Sequence, residues 1–144
     1  MKVQSHQLTL KTSNSVEIVN ITPQLTAIID GSGVENGIIN VSSRHTTTAL
    51  FVNEYETRLL DDIKLFFEKL VPAQQKYLHN DIHLRDCPPD EPENAHSHII
   101  AMLLSSNESL PVIDGKLAIG QWQSVLFAEL DGPRDRTLQV QLIG

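Results

Sequence analysis

Hydrophobic side chains in the N-terminal third of the chain are spaced as in β-strands. Residues 3–10 and 16–21 are extended in character and a turn-forming stretch separates them, so we expect a first hairpin. Residues 38–41 and 49–52 are apolar and rich in β-branched side chains. These two runs predict one or two buried strands.

The C-terminal third is also strand-like. Leu138, Val140 and Leu142 alternate with glutamines, which is typical of a half-buried antiparallel strand. The dipeptide Asp114-Gly115 predicts a hairpin turn between two short apolar runs. The strands predicted in this region span residues 110–113, 116–119, 122–130 and 136–143.

Three segments have the spacing of α-helices. The first begins at Thr22-Pro23, which matches an N-cap followed by proline, and ends before the glycines at 31 and 33. The clearest helix spans residues 56–70 and carries one apolar stripe. Residues 94–104 are apolar almost all round, so we expect them to be buried by the rest of the domain or by another subunit. The stripe of the second helix consists of Leu59, Leu60, Ile63, Phe66, Phe67 and Leu70.

Strand runs outnumber helices, and adjacent strands are joined by short turns. We therefore expect an α+β fold, mainly an antiparallel β-sheet or sandwich with two to three helices. The length of 144 residues predicts a single domain over residues 1–144. Residues 72–93 lack periodicity, and a loop of that length inside a compact domain is often functional.

Charge and cysteine content narrow the partners and the compartment. The formal charge of −7 comes from 18 acidic against 11 basic residues, which argues against non-specific nucleic-acid binding. Cys87 is the single cysteine and the N-terminus does not resemble a signal peptide, so we expect a cytoplasmic protein. The longest apolar run is six residues, so we expect no membrane segment.

Histidines are the strongest candidates for chemistry, because four of the six fall between residues 79 and 98. His79 and His83 have a spacing that on a helix would let them share a metal, but their segment lacks helical periodicity. An ordinary loop is the alternative. His96 and His98 point about 200° apart on a helix, so at most one of them faces the chemistry. His45 lies in a hydroxyl-rich stretch and is either a satisfied buried histidine or a ligand.

The last predicted hairpin carries a second set of candidates. Arg134 and Arg136 either pair with carboxylates on the surface or hold a phosphate through two hydrogen bonds. Backbone N–H groups at the start of the helix after Asn94 also favour an anion. We expect Trp122 to pack in the core, and Gln123 to point to the opposite side and reach a site.

Several blocks of the sequence together resemble the YjbQ family, which is also called the secondary thiamine-phosphate synthase family. The order and spacing match from about residue 5 to the C-terminus. The blocks that carry the resemblance are residues 44–50, 53–54, 77–80, 94–99, 120–123 and 129–136.

The resemblance implies a homotrimer with a polar pocket where histidines converge. The family pattern places one histidine in each of three blocks, and these match His45, His79 and His98. Three imidazoles suit a divalent metal, zinc above all, with magnesium as the alternative. Candidates for catalytic or metal-supporting groups are Glu54, Asp81 and Gln123, and candidates for substrate or phosphate binding are Thr46, Asn94, Arg134 and Arg136.

The activity implied by the resemblance is a thiamine-phosphate synthase-type transfer. It couples a pyrimidine diphosphate to a thiazole phosphate, and we expect it to be a weak or side activity. The expected partner is therefore a small phosphorylated or anionic molecule. Two alternatives remain open: a zinc-dependent hydrolase of a small ester or amide, and a non-enzymatic trimer that binds a ligand or a metal.

Overall fold

The computed structural model describes residues 1–144 and contains eight strands, three α-helices and two 3-10 turns. The strands are β1 (Val3–Lys11), β2 (Glu17–Asn20), β3 (Gly37–Ser43), β4 (Thr48–Asn53), β5 (Asn107–Ile113), β6 (Lys116–Leu117), β7 (Ser124–Glu129) and β8 (Asp135–Ile143). The helices are α1 (Thr22–Ser32), α2 (Thr57–Leu70) and α3 (Ala95–Leu103), and the 3-10 turns are Leu78–Asn80 and Ile82–Leu84.

The strands form two antiparallel sheets, which confirms the α+β class. The larger sheet has the order β1-β8-β3-β5-β6 and the smaller has the order β2-β7-β4. The predicted first hairpin is wrong, because β1 pairs with β8 while β2 pairs with β7. A turn signal shows that the chain bends, but it does not show which sheet the next strand joins.

The main core lies between the two sheets and α1. Leu138, Val140 and Leu142 of β8 are fully buried there, as their alternation predicts. Leu25 and Ile29 of α1 pack into the same cluster. The turn at Asp114-Gly115 is also confirmed, since both residues have the positive φ that such a hairpin turn requires.

Strand β7 is buried on both faces, because a second apolar cluster lies on the far side of the smaller sheet. Val125 and Phe127 face the main core, whereas Ala128 belongs to the second cluster with residues of α2 and α3. Side chains alternate along a strand, so Glu129 returns to the side of the main core. This carboxylate is fully buried at the end of β7 and becomes part of the site described below.

Helix α2 buries less of its stripe than the sequence predicts. Phe67 is buried, but Phe66 is 57% exposed and Leu70 is 51% exposed. The helix shares the outer face of the smaller sheet with α3, so its contact with the core is narrow. Helix α3 likewise leaves Met102 74% exposed and Leu103 56% exposed, so the rest of the domain does not bury it all round. The alternative, burial by another subunit, stays a prediction.

The prediction of a core tryptophan is wrong. Trp122 is 68% exposed, because it lies in a turn before β7 rather than in the strand. The side chain of Gln123 closes this turn by accepting a hydrogen bond from the Gly120 amide at 2.7 Å. None of the three helices has the length and hydrophobicity needed to cross a membrane.

Candidate functional site

The floor of the site is a buried ion pair that joins β7 to β8. Arg136 donates from Nε to Glu129 Oε2 at 2.7 Å and from Nη2 to Glu129 Oε1 at 2.6 Å. Its Nη2 also donates to Thr47 Oγ1 at 3.0 Å. Burial alone raises the pKa of Glu129, but hydrogen bonds from Arg136, the Asp131 amide and Thr12 outweigh it and lower that pKa. Both partners are therefore ionised at neutral pH.

The loop after β7 is fixed by this floor. The Asp131 amide donates to Glu129 Oε1 at 3.0 Å. Thr12, at the end of β1, accepts at Oγ1 from the Arg134 amide at 2.9 Å and donates its own amide to the Arg134 carbonyl at 3.0 Å. The backbone of the loop is therefore hydrogen-bonded at both Asp131 and Arg134, which fixes the positions from which their side chains extend.

Asp131 then connects the loop to the start of α3. Its Oδ2 accepts from Asn94 Nδ2 at 2.8 Å and from Arg134 Nη2 at 2.9 Å. The side chain of Asn94 consequently does not cap α3, although Asn94 occupies the cap position. Instead, the first helical amide, that of Ala95, donates to Asn80 Oδ1 at 3.1 Å.

The bond from Ala95 to Asn80 ties the 3-10 turn to α3 and brings two histidines together. The ring centroids of His79 and His98 are 4.8 Å apart, with an angle of 72° between the ring planes. Burial lowers the pKa of His98, and His79 and Arg85 lower it further, while Asp131 and Glu91 oppose the shift. His98 is therefore predominantly neutral at pH 7.

His45 approaches from the other side, after β3. Its Nε2 accepts a hydrogen bond from the Thr137 amide at 3.1 Å. In a neutral imidazole only one ring nitrogen carries a proton, so that proton is on Nδ1. Burial and the guanidinium of Arg136 both lower the pKa of His45. The ring thus has an N–H donor on Nδ1.

These groups surround a cleft of about 340 Å³, which we call the histidine cleft. Its walls are polar throughout except for Pro92. The lining residues are Arg44, His45, Thr46, Thr47, Glu91, Pro92, Asn94, His98, Asp131, Arg134 and Arg136.

Six of the residues predicted from the sequence line the histidine cleft. They are His45, Thr46, Asn94, His98, Arg134 and Arg136. His79 contacts His98 but is not among the lining residues. Arg136 is engaged by Glu129 and Thr47, so we assign it a positioning role rather than a phosphate contact.

Three predicted residues lie outside the cleft. Glu54 follows β4, and its amide donates to the side chain of Asn53. Asp81 lies between the two 3-10 turns, and Gln123 closes the turn that contains Trp122. Glu54 and Gln123 lie within family-like blocks and Asp81 follows one directly, but membership of a block does not place a side chain in the cleft.

Sequence reasoning gave no site role to Arg44, Glu91 or Asp131, which all line the cleft. Arg44 and Asp131 lie within the blocks that carry the family resemblance, so a signal for them was present. Glu91 lies in the aperiodic stretch at 72–93, where no pattern indicates which side chain turns inward.

The three predicted metal ligands do not form a ligand set as they are placed here. No three His, Cys, Asp or Glu side chains come together in a way that could hold a metal ion. His79 and His98 meet edge to face, and the Nε2 of His45 is used by the Thr137 amide. A tetrahedral site with three imidazoles does not fit this arrangement, so the zinc site stays a prediction based on the family resemblance.

A second cavity lies on the other side of Asp131, and we call it the α2–α3 groove. It has a volume of about 610 Å³ and includes His96 in its wall. His96 and His98 therefore face different cavities, which confirms the prediction from their spacing on the helix. The groove is lined by Ser15, Val16, Asp61, Lys64, Leu65, Phe67, Glu68, Val71, Ala73, Gln74, His96, Ile100, Leu130 and Asp131.

Comparison with known proteins gives a consistent result. A family model described as UPF0047 protein YjbQ-like matches residues 6–144. A UPF0047 protein of Methanothermobacter thermautotrophicus is 44% identical over 144 residues, which cover 100% of this chain and 94% of that protein. One from Archaeoglobus fulgidus is 42% identical over 137 residues, which cover 95% of this chain and 99% of that protein.

Solved structures agree with the sequence matches. The crystal structure of a YbjQ-like protein of unknown function from Sulfolobus solfataricus superposes with a TM-score of 0.89 at 34% identity, covering 99% of this chain and 98% of that one. An uncharacterized conserved protein of the yjbq/upf0047 family from Clostridium acetobutylicum gives a TM-score of 0.85 at 34% identity, covering 96% and 99%. The chain therefore belongs to the YjbQ/UPF0047 family.

Proposed function

We propose that the protein is an enzyme that binds a small phosphorylated or anionic molecule in the histidine cleft, and that His98 exchanges a proton with it. The observation that carries this proposal is the placement of neutral His98 in one polar cleft with two exposed guanidinium groups, those of Arg44 and Arg134. Proton transfer by a positioned imidazole near its pKa is effective at neutral pH.

Anion binding rests on donors that the chain leaves available. Arg44 is exposed and forms no ion pair. Arg134 is paired with Asp131, but its side chain is 44% exposed and its guanidinium has further N–H groups for a ligand. The exposed hydroxyl of Thr46 and the Nδ1–H of His45 add two neutral donors.

The proton step rests on the surroundings of His98. A neutral imidazole accepts a proton, and the carboxylates of Glu91 and Asp131 in the same cleft stabilise the resulting imidazolium. His79 contacts the ring and limits its orientation. We assign His79 a positioning role and His98 the proton transfer.

The reaction class that we propose is the transfer implied by the family resemblance, as a weak or side activity. A pyrimidine diphosphate and a thiazole phosphate are joined by a C–N bond to the thiazole nitrogen, and the bond from carbon to pyrophosphate breaks. The departing pyrophosphate carries away the electron pair and takes up one proton, which His98 first accepts from water and then delivers to the pyrophosphate oxygen. Arg44 and Arg134 are suited to stabilise the charge of the leaving group. The cleft holds no feature that favours ester or amide hydrolysis over this transfer.

We also propose that the chain self-associates, as the resemblance to a trimeric family implies. Large apolar side chains are exposed on α2 and α3, both of which pack on the outer face of the smaller sheet. Exposed apolar surface of this kind is typical of protein–protein contacts. Light scattering of the purified protein measures the number of subunits directly. A cytoplasmic location remains our proposal, and the unpaired Cys87 is consistent with it.

The central experiment measures binding of inorganic pyrophosphate by isothermal titration calorimetry. We expect Arg44→Gln to weaken binding about tenfold, because one charge-assisted hydrogen bond is lost. Arg58→Gln is the matched control, since Arg58 is exposed on α2 and does not line the cleft. Equal affinities in the two variants, or no binding by the wild type, would refute the proposed anion site.

The zinc prediction has its own test, which does not depend on the proposed reaction. Elemental analysis of protein purified without a tag or chelator measures the metal content of the wild type and of His45→Ala, His79→Ala and His98→Ala. Near-stoichiometric zinc that is lost in each variant would support a site with three imidazoles. Wild-type protein without zinc would leave the rings as donors and proton carriers.

A further inference from the structure

The α2–α3 groove differs from the histidine cleft in the chemistry of its walls. Seven apolar residues line it, from α2, α3 and the segments beside them. They are Val16, Leu65, Phe67, Val71, Ala73, Ile100 and Leu130. Its volume of about 610 Å³ is within the range of small-molecule pockets. An apolar floor of this size suits an aromatic or aliphatic ligand body.

The charged residues of the groove give it an excess of negative charge. Asp61, Glu68 and Asp131 are acidic, whereas Lys64 is the single basic residue in its wall. Lys64 is bound to Asp61 Oδ1 at 2.8 Å, so these two charges offset each other. Asp131 is likewise paired with Arg134 at 2.9 Å, so the carboxylate of Glu68, which forms no ion pair, sets the sign of the potential in the groove.

We infer that the α2–α3 groove is a second binding site, for a small organic cation that has an apolar body and an amine group. The apolar floor takes the body of the ligand, and the unpaired carboxylate of Glu68 attracts the ammonium group. The same charge disfavours the anionic ligand proposed for the histidine cleft. The site therefore goes beyond the proposed function and takes a ligand of opposite charge.

His96 adds a polar group that lacks a partner within the chain. The hydroxyl of Ser97 donates to the Leu130 carbonyl at 2.5 Å, so Ser97 Oγ can only accept from His96 Nε2 at 3.4 Å. The other ring nitrogen, Nδ1, then carries a lone pair, and it is buried with no hydrogen-bond donor. A buried acceptor without a partner is costly, and because this nitrogen is closed to solvent, a bound ammonium group can supply the missing donor only after the His96 ring turns toward the groove.

The test uses two compounds with one ring system and opposite charge, tryptamine and indole-3-propionate. Binding is followed by chemical-shift changes of backbone amides in two-dimensional NMR. We expect tryptamine to shift amides of α2 and α3, and indole-3-propionate to bind at least about fivefold more weakly, because its carboxylate faces the carboxylate of Glu68. Equal affinities would show that charge does not select the ligand and would overturn the inference.

Two variants of α2 separate the groove from the general charge of the protein. Glu68→Gln removes a carboxylate from the groove wall, and Asp62→Asn removes one from an exposed position on the same helix outside the groove. We expect Glu68→Gln to weaken tryptamine binding about threefold, which is the effect of a partly exposed ion pair, and Asp62→Asn to leave it unchanged. Equal effects of the two variants would contradict the inference.

A second copy of the chain is the competing occupant of the groove. If self-association covers it, tryptamine will fail to shift the groove amides of the associated protein, and the inference fails. Pyrophosphate binding by Glu68→Gln keeps the two sites distinguishable, because this variant leaves the lining of the histidine cleft intact. Weaker tryptamine binding by Glu68→Gln with unchanged pyrophosphate binding would assign the effect to the groove alone, whereas absence of tryptamine binding by a wild type that binds pyrophosphate would refute the groove site and leave the proposed function standing.

Discussion

Asp131 lines both the histidine cleft and the α2–α3 groove, but the two cavities differ in the polarity of their other lining residues. The cleft has an ionic floor, Glu129 with Arg136, whereas the groove has an apolar floor that includes Ile100. The difference follows from side-chain direction. Consecutive residues at the end of β7 face opposite sides, and two histidines two positions apart on α3 do the same. The region where β7 and α3 meet therefore has a polar cavity on one side and a partly apolar cavity on the other.

The largest effect is expected when the ionic floor of the cleft is broken. Arg136→Leu leaves Glu129 buried and charged with only neutral donors, Thr12 and the Asp131 amide, so we expect a loss of about 3–5 kcal/mol in the free energy of unfolding. Arg134→Leu removes an exposed pair and should cost less than about 1 kcal/mol. Urea denaturation monitored by circular dichroism gives both values.

A double variant sharpens this result. Replacing both Glu129 and Arg136 by leucine removes the unpaired charge, and we expect it to recover most of the stability lost in Arg136→Leu. Similar losses in Arg134→Leu and Arg136→Leu would mean that the buried pair has no special role and that the contrast with the groove is wrong.

The second effect is on turnover and compares the two histidines of α3. We expect His98→Asn to reduce pyrophosphate release from the pyrimidine diphosphate and thiazole phosphate by about 100-fold or more, because a general acid or base is lost. His96→Asn faces the groove and should change the rate less than about threefold. An enzyme-coupled assay of pyrophosphate measures both, and equal losses would assign the chemistry to neither cavity.

The third effect is on stability and tests how tightly the apolar floor of the α2–α3 groove is packed. Ile100 is 4% exposed in the second cluster, so Ile100→Val should cost about 1 kcal/mol of unfolding free energy. Met102→Val on the same helix changes a side chain that is 74% exposed, and we expect no measurable loss. Chemical denaturation distinguishes the two, and a neutral Ile100→Val would mean that the groove floor is loosely packed.

The smallest effect is a pH dependence of stability, to which histidines of both cavities contribute. Burial lowers the pKa of His45, His96 and His98 below the usual value near 6.5. The unfolded chain then binds more protons than the folded protein below about pH 6.5, so this contribution to stability is present above that pH and is lost as pH falls. We expect the melting temperature to decrease from about pH 7.5 to about pH 5.5. A flat profile in this window would contradict the burial of the three rings.

Two features of the site were predictable, one from local helix geometry and one from the family resemblance. The helical step of about 100° per residue required His96 and His98 to face different ways, and they do. The resemblance implied that His45, His79 and His98 converge in one polar pocket. His45 and His98 line the histidine cleft, whereas His79 contacts His98 without lining it.

The rest depends on contacts between segments distant in sequence. The pairing of Arg136 with Glu129 follows from strands whose partners the sequence does not specify, and it changes Arg136 from a ligand contact into part of the floor. The placement of β1 and β2 in different sheets is of the same kind. For α2, hydrophobic spacing gave the helix correctly but not the fraction of its stripe that other elements cover.

The position of β7 has a consequence for how the molecule unfolds. This strand is hydrogen-bonded on both edges, to β2 and β4, and contributes side chains to both apolar clusters. Neither cluster can open fully without disrupting the strand that they share. Amide protons of β7 are therefore expected to exchange with solvent only when the whole fold opens, so loosening either cluster should accelerate their exchange equally.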